Sequence, residues 1–116
     1  MRHRKKGKKL SRKIGPRRAL QKSLAVSLIL NNKIITTKDK AKFVQPFVEK
    51  AITLAKKGDR NAKNRLHSVI TNKKAEKKLL KELAEKYKER KCGYTRIIKL
   101  GERKGDNALL VQLEFV

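Results

Sequence analysis

The sequence is poor in acidic and aromatic side chains. It holds 10 Asp and Glu against 34 Lys and Arg, no Trp, and five aromatic residues in 116. The resulting formal net charge of +24 makes the surface repel itself unless a polyanion neutralises it. This balance excludes most enzymes and neutral scaffolds. It favours nucleic acid as the partner, with an anionic membrane as the weaker alternative.

Cysteine and long apolar runs are equally scarce. The single cysteine, Cys92, cannot form an internal disulfide, which fits a reducing cytoplasm. The longest apolar stretch, residues 24–30, is interrupted by Ser27 and falls short of the roughly 20 residues that span a bilayer. Met1 is followed by basic residues rather than by the apolar segment of a signal peptide. We therefore expect a soluble cytoplasmic protein without membrane contact.

Catalytic and metal-binding sets of residues are also missing from the sequence. His3 and His67 are the only imidazoles available to Cys92, and together they cannot supply the four ligands of a structural zinc site. Most of the acidic residues alternate with Lys on predicted helices, and no GxxxxGK[ST] phosphate cradle occurs. The sequence therefore predicts a protein that is not an enzyme and uses no cofactor or metal.

Residues 1–18 form a strongly basic segment with ten Lys and Arg and no acid. Because such a segment cannot bury enough apolar surface to offset its ordering entropy, we expect an extension that is disordered when free. Clustered cations without acids favour phosphate as their partner. The candidate RNA-binding residues of this extension are Arg2, His3, Arg4, Lys5, Lys6, Lys8, Lys9, Arg12, Lys13, Arg17 and Arg18. Residues 19–116 are expected to form one globular domain.

The first half of this domain shows helical periodicity interrupted by one short strand. Apolar residues at three- and four-residue steps predict a helix over about residues 17–30. The β-branched segment 33–37 predicts a strand. Thr37 or Asp39 then caps a second helix that ends near Gly58.

The second half continues with helices and ends in two strands. Pro46 predicts either a kink in the second helix or a helix that begins there. Asp59 and Asn72 are expected to cap a third and a fourth helix. The period then changes to two over residues 94–100 and 108–116, which predicts two strands joined by a glycine-bounded loop. The order helix, strand, three helices, two strands predicts an α+β fold: a two-layer domain with helices on one face of a three-stranded sheet.

Basic side chains outside the extension form two further candidate surfaces. The first comprises the strand and hairpin residues Tyr94, Arg96, Lys99, Arg103 and Lys104. The second lies at the junction of the second and third helices and comprises Lys57, Arg60 and Lys63, flanked by Lys56 and Arg65. Tyr94 either stacks on an unpaired base or packs in the core with its hydroxyl exposed, and the sequence leaves both alternatives open.

Several motifs of the chain resemble one protein family. They are Met1-Arg2-His3-Arg4-Lys5-Lys6-Gly7-Lys8-Lys9-Leu10, Arg18-Ala19-Leu20, Ile35-Thr36-Thr37, Ala41-Lys42, Ile52-Thr53-Leu54-Ala55-Lys56, Gly93-Tyr94-Thr95-Arg96-Ile97 and Gly105-Asp106-Asn107-Ala108. In this order, over nearly the whole chain, they resemble the family of the seventeenth protein of the bacterial large ribosomal subunit. The chain departs from the family pattern at Cys92, Gly15-Pro16-Arg17 and Leu109-Leu110. These departures leave the charge clusters and the apolar stripes intact.

The resemblance implies a small α/β two-layer domain with a basic extension that threads into large-subunit (23S) ribosomal RNA. It also implies a place on the solvent side near the peptide exit tunnel, neighbouring large-subunit proteins as partners, and one copy per ribosome without a catalytic role. Residues 2–18 and 94–104 would face RNA. Two other classes compete with this interpretation. A DNA-binding protein would need a helix with a base-reading face, and an enzyme acting on nucleic acid would need clustered acids or metal ligands.

Overall fold

The computed structural model describes His3 and residues 7–116. The first elements are α1 (Ile14–Asn31), β1 (Lys33–Thr37), α2 (Lys38–Lys57), α3 (Arg60–Val69) and α4 (Lys73–Lys78). Helix α4 continues through a π-helical turn (Leu79–Leu83) into the short α5 (Ala84–Lys86). The strands β2 (Thr95–Glu102) and β3 (Leu109–Phe115) complete the fold. This order confirms the α+β fold that the sequence predicts.

Helix α1 begins at Ile14, three residues before its predicted start. Pro16 fits in this first turn because the first N–H groups of a helix have no partner within the helix. Arg17 and Arg18 consequently lie on α1, although the sequence assigns them to the extension. The helix ends at Asn31, and the C-cap residue Asn32 adopts a left-handed conformation with φ of 67°.

Helix α2 runs through Pro46 rather than beginning at it. Proline lacks an N–H donor, so α2 is short of one backbone hydrogen bond there. Thr37 occupies the N-cap position without donating or accepting a side-chain capping bond. Gly58 ends the helix in the left-handed region with φ of 67°, a conformation that glycine adopts at low cost.

Helices α3 and α4 begin at the two capping residues that the sequence predicts. The Asp59 Oδ1 atom accepts a hydrogen bond from the Ala62 N–H at 2.7 Å. The Asn72 Oδ1 atom accepts one from the Ala75 N–H at 3.1 Å. Each side chain therefore satisfies a backbone donor that has no partner within its helix.

The π-helical turn is a feature that the sequence does not predict. Periodicity favours one regular helix from Asn72 to Tyr87, whereas Leu79–Leu83 adopts the wider turn. Leu79 and Leu83 are both buried in this turn. A single π turn leaves the spacing of apolar residues close to helical, so the sequence pattern does not reveal it.

The three strands form one antiparallel sheet in the order β1-β3-β2. In the central row, Gln112 of β3 pairs with Ile35 of β1 and with Ile98 of β2. The register of β2 shifts between Lys99 and Gly101, where the strand bulges. The face that carries Ile35 and Ile98 is open to solvent, whereas the other face is covered.

The covered face of the sheet packs on the helices and forms the core. Val111, Leu113 and Phe115 of β3 are buried there. Helix residues of the same core include Leu28, Ile29, Val48, Ile52, Leu66 and Leu79. Tyr87 and Tyr94 join the cluster, with ring centroids 5.2 Å apart. The predicted arrangement, with helices on one face of the sheet, is confirmed.

Candidate nucleic-acid interface

The structure describes only part of the predicted basic extension. Arg2, Arg4, Lys5 and Lys6 lie outside the described residues. The described members that are exposed on the surface are His3, Lys8, Lys9, Arg12, Lys13 and Arg18, while Arg17 is partly buried on α1. Leu10 and Ser11 have positive φ angles, and the Arg12 guanidinium donates a hydrogen bond to the Leu10 carbonyl at 2.8 Å.

Lys8 connects the extension to the folded domain. Its Nζ atom lies 2.7 Å from Oδ1 of Asp39, in the first turn of α2. This hydrogen bond lowers the pKa of the Asp39 carboxyl, and the charges of Lys8, Lys38 and Lys42 add to the effect. Asp39 also lies where a helix favours negative charge. One of the predicted phosphate-binding cations is therefore engaged with the protein itself.

The hairpin loop between β2 and β3 is organised by an ion pair between Arg103 and Asp106. The Arg103 Nε atom donates to Asp106 Oδ1 at 3.0 Å, and a second guanidinium nitrogen donates to Oδ2. Arg103, followed by the Ala108 N–H, lowers the pKa of Asp106 to about 2. Two of the five guanidinium N–H donors of Arg103 are thus used within the hairpin, and the other three can still donate to a phosphate. Lys104 at the tip is exposed and has no ion pair among the described residues.

The strand residues Arg96 and Lys99 differ in how much of their charge is available. Arg96 Nε lies 2.6 Å from Glu114 Oε1 on the open face of the sheet. The pKa of Glu114 is lowered, first by the hydrogen bond from Arg96 and then by the one from Gln112. Lys99 is exposed at the bulge and makes no ion pair within the described part of the chain. Lys99 is therefore the stronger phosphate candidate of the two.

Tyr94 packs in the core, so its ring is not available to stack on a base. Only 1% of the residue is exposed. Lys56 Nζ donates to the Tyr94 hydroxyl at 2.9 Å and lies 5.1 Å from the ring centroid. The hydroxyl lies within donor distance of the Arg90 and Lys91 carbonyl oxygens, at 3.2 and 3.0 Å, which act as acceptors. The sequence left open whether Tyr94 stacks on a base or packs in the core. Its burial favours the core and removes Tyr94 from the candidate RNA interface.

The junction of α2 and α3 presents a second group of cations, which we call the junction cluster. It consists of Lys57 at the end of α2 and Arg60 and Lys63 on α3. All three side chains are exposed, and none forms an ion pair with another described residue. Lys56, which the sequence grouped with them, instead binds Tyr94 and the Arg90 carbonyl.

Most of the lysines and arginines of the described chain form no ion pair with another described residue. Lys8, Arg96 and Arg103 are the only lysines or arginines with an ion pair among the residues that the structure covers. The remaining cations lie on exposed or partly buried positions around a single folded unit. Such a surface binds polyanions because phosphate binding releases condensed counterions.

A groove between α2 and α3 is the part of the surface that sequence reasoning missed. Its volume is about 340 Å³, and its lining includes Phe47, Lys50, Leu54, Arg65 and Val69. Phe47 belongs to the apolar periodicity of α2, whereas the sequence gave no role to Lys50. The seven-residue spacing of Lys50 and Lys57 was the available signal, because it places both on one side of the helix.

Neither a metal site nor a membrane-spanning helix occurs in the part of the chain that the structure describes. No group of three or more His, Cys, Asp or Glu side chains is arranged to hold a metal ion within His3 and residues 7–116. Over the same residues, no helix has the length and apolar character needed to cross a membrane.

Comparisons with known proteins match one family over most of the chain. Residues 20–116 match the family model described as Ribosomal protein L17. The protein named Large ribosomal subunit protein bL17 of Akkermansia muciniphila is 49% identical over the whole chain and 85% of its own length. The protein of that name from Hydrogenobaculum sp. is 50% identical, and the match covers 99% of it.

A third relative is longer than this chain. The protein of the same name from Bdellovibrio bacteriovorus is 50% identical over 98% of the chain, which spans only 63% of that relative. The matches confirm the resemblance that the sequence motifs indicate. The chain belongs to the ribosomal protein L17 family, whose members are structural proteins of the ribosome rather than enzymes.

Proposed function

We propose that this protein is a structural constituent of the large ribosomal subunit that binds and stabilises 23S rRNA and thereby supports translation. The names of its relatives, all large-subunit proteins, support the assignment to that subunit. The subunit is a cytoplasmic particle, so the protein works in the cytoplasm. It acts by binding and needs neither a cofactor nor a metal.

The observation that carries the proposal is the small number of ion pairs that the described cations form within the protein. Only three described lysines or arginines have an ion pair, in a chain with a formal charge of +24. A folded domain with this surface gains free energy when phosphates replace its condensed counterions. Ribosomal RNA supplies phosphates at high density and in fixed positions.

We assign different tasks to the two parts of the chain. Residues 1–18 act as the RNA-binding extension, and the last five of them, residues 14–18, already form the start of α1. The domain, residues 19–116, docks as a rigid body through shape and phosphate contacts. Its contact residues are Lys57, Arg60 and Lys63 of the junction cluster, Arg96 and Lys99 of β2, and Arg103 and Lys104 of the hairpin.

The family resemblance extends the proposal to the surroundings of the protein. We expect a position on the solvent side of the large subunit near the peptide exit tunnel. Neighbouring large-subunit proteins complete its contacts, and each ribosome carries one copy.

Hydroxyl-radical footprinting of reconstituted complexes tests this function. The full chain is bound to 23S rRNA, to 16S rRNA and to double-stranded DNA at the same ionic strength. We expect a protected region confined to particular 23S rRNA segments, and no discrete protection on the other two. Equal affinity for all three, without a discrete footprint, contradicts the proposed function and favours a nonspecific DNA-binding protein.

A further inference from the structure

We propose that the groove between α2 and α3 holds one unpaired nucleotide of the bound RNA. Its base packs on the apolar floor, and its flanking phosphates contact the cationic rim. This inference rests on the proposed function, because it assumes that the chain binds RNA. It goes further in assigning a specific binding site and the class of nucleotide that fits it.

The floor of the groove is apolar and accessible. Phe47 and Leu54 of α2 and Val69 of α3 line it, and each is partly buried against the core rather than closed off from solvent. The aromatic ring and the two aliphatic side chains present a surface on which a planar base can pack. Base contacts with such side chains are sequence-tolerant, because every base has an apolar face.

The rim of the groove is cationic. Lys50 and Lys57 of α2 lie on one wall and Arg65 of α3 on the other. None of the three forms an ion pair with another described residue. No acidic residue is among the described residues that line the groove. The rim therefore offers uncompensated positive charge on both sides of an apolar floor.

One carboxylate beside the groove, that of Asp59, caps α3 and forms no ion pair with the cations of the rim. Asp59 lies in an adjoining smaller depression that shares Leu54, Lys57 and Arg65 with the groove. Its Oδ1 atom accepts the Ala62 N–H at 2.7 Å as the cap of α3. Its carboxylate is thus engaged with the backbone of the helix start.

The dimensions and the charge together select an unpaired nucleotide over other occupants. The volume of about 340 Å³ lies at the lower end of the roughly 300–1,000 Å³ typical of small-ligand sites. A paired base in a duplex cannot expose its face to the floor, whereas a base in a loop or bulge can. An apolar acidic peptide is the competing occupant. RNA is favoured because Arg60 and Lys63 add two exposed cations on α3, which can contact phosphates outside the groove.

The test is an NMR titration of the full chain, labelled on Leu and Val methyl groups and on Phe rings. The probes are a short single-stranded oligouridylate, an abasic strand with the same number of phosphates, and a fully paired RNA duplex. We expect the Leu54, Val69 and Phe47 signals to shift with the oligouridylate and to stay in place with the other two probes. Removal of the bases is expected to weaken binding at least about fivefold.

Matched variants separate the base contact from general charge attraction. Leu54→Asn alters the floor, and Leu80→Asn makes the same change at another partly buried leucine outside the groove. Only the first is expected to reduce the preference for the oligouridylate over the abasic strand, by about three- to tenfold. If Leu54→Asn unfolds the domain, the double variant Lys57→Gln with Arg65→Gln is used in its place. The double variant Lys77→Gln with Lys81→Gln is its control, because it removes the same charge elsewhere. The rim pair is then expected to weaken oligouridylate binding more than its control does.

Each other outcome overturns the inference in a distinguishable way. Oligouridylate binding that shifts other residues and leaves the groove signals unchanged overturns the nucleotide site while the proposed function stands. Equal groove shifts with the abasic strand reduce the site to a phosphate contact and overturn the base pocket. Groove shifts that occur with an acidic apolar peptide and not with RNA replace the nucleotide with a protein partner. Failure of the chain to bind any RNA at low salt contradicts the proposed function as well.

Discussion

Lys56 and Tyr94 join the end of α2 to the start of β2 through a hydrogen bond of 2.9 Å and a contact of the ammonium with the ring. The tyrosine is thereby fixed with its ring in the core and its hydroxyl on the Arg90 and Lys91 carbonyls. Two residues that sequence reasoning assigned to RNA surfaces thus stabilise the fold. This arrangement separates the structural cations from those that remain available for phosphate.

Removal of the Tyr94 hydroxyl is expected to affect stability and not RNA binding. Tyr94→Phe removes the hydrogen bond from the Lys56 ammonium and those to the Arg90 and Lys91 carbonyls, at a cost of about 1 kcal/mol in the free energy of unfolding. Urea denaturation measures this cost, and a parallel RNA titration measures affinity. A loss of RNA affinity with unchanged stability would mean that the Tyr94 hydroxyl contacts RNA in the complex.

The cap of α3 is expected to depend on the Asp59 oxygen rather than on its charge. Asp59→Ala removes the acceptor of the Ala62 N–H and is expected to cost about 1 kcal/mol in the free energy of unfolding. Asp59→Asn is the matched control, because asparagine retains a capping oxygen without the charge. Thermal or urea denaturation compares the two variants. Equal losses in both contradict the capping role.

The hairpin ion pair gives a prediction for acidic pH. The pKa of Asp106 is lowered to about 2, below the value of about 3.9 for an unfolded aspartate. Its contribution to stability is therefore complete above about pH 4 and is lost as the pH falls toward about 2. Carboxyl NMR of the wild-type chain follows this titration. In Arg103→Gln the midpoint is expected to rise toward the unfolded value, and an unchanged midpoint contradicts the assigned cause.

The junction cluster is expected to contribute to the salt dependence of RNA binding. Replacing Lys57, Arg60 and Lys63 by Gln is expected to remove up to three phosphate contacts, and the slope of log affinity against log salt should become shallower by about two to three. The triple replacement of Lys77, Lys81 and Lys88 by Gln removes the same charge from other exposed positions. Its slope should change by less than about one. Equal changes in both variants indicate that the charge acts without a defined site.

Local signals of the sequence were enough to predict the elements of the fold. The caps Asp59 and Asn72, the stop at Gly58 and the two-residue period of β3 all depend on residues within one turn or strand. The sequence did not predict that α1 begins at Ile14, because Pro16 is compatible with the first turn of a helix as well as with a loop.

The candidate interface was less predictable, because availability of a charge depends on residues distant in sequence. Lys8 reaches Asp39, and Arg96 reaches Glu114 across the sheet. Whether Tyr94 stacks on a base or packs in the core depends on tertiary packing, which the sequence does not show. The groove forms where two helices meet, so neither helix alone reveals it.

We expect this protein to bind the large subunit through charge. This expectation is tested most directly by sedimenting a cell lysate through sucrose gradients at low and then high salt and measuring the protein in each fraction by mass spectrometry. We expect constant stoichiometry with the large subunit at low salt and release at high salt, because phosphate contacts weaken steeply with salt. Sedimentation with chromosomal DNA, or at the top of the gradient at low salt, would contradict the account.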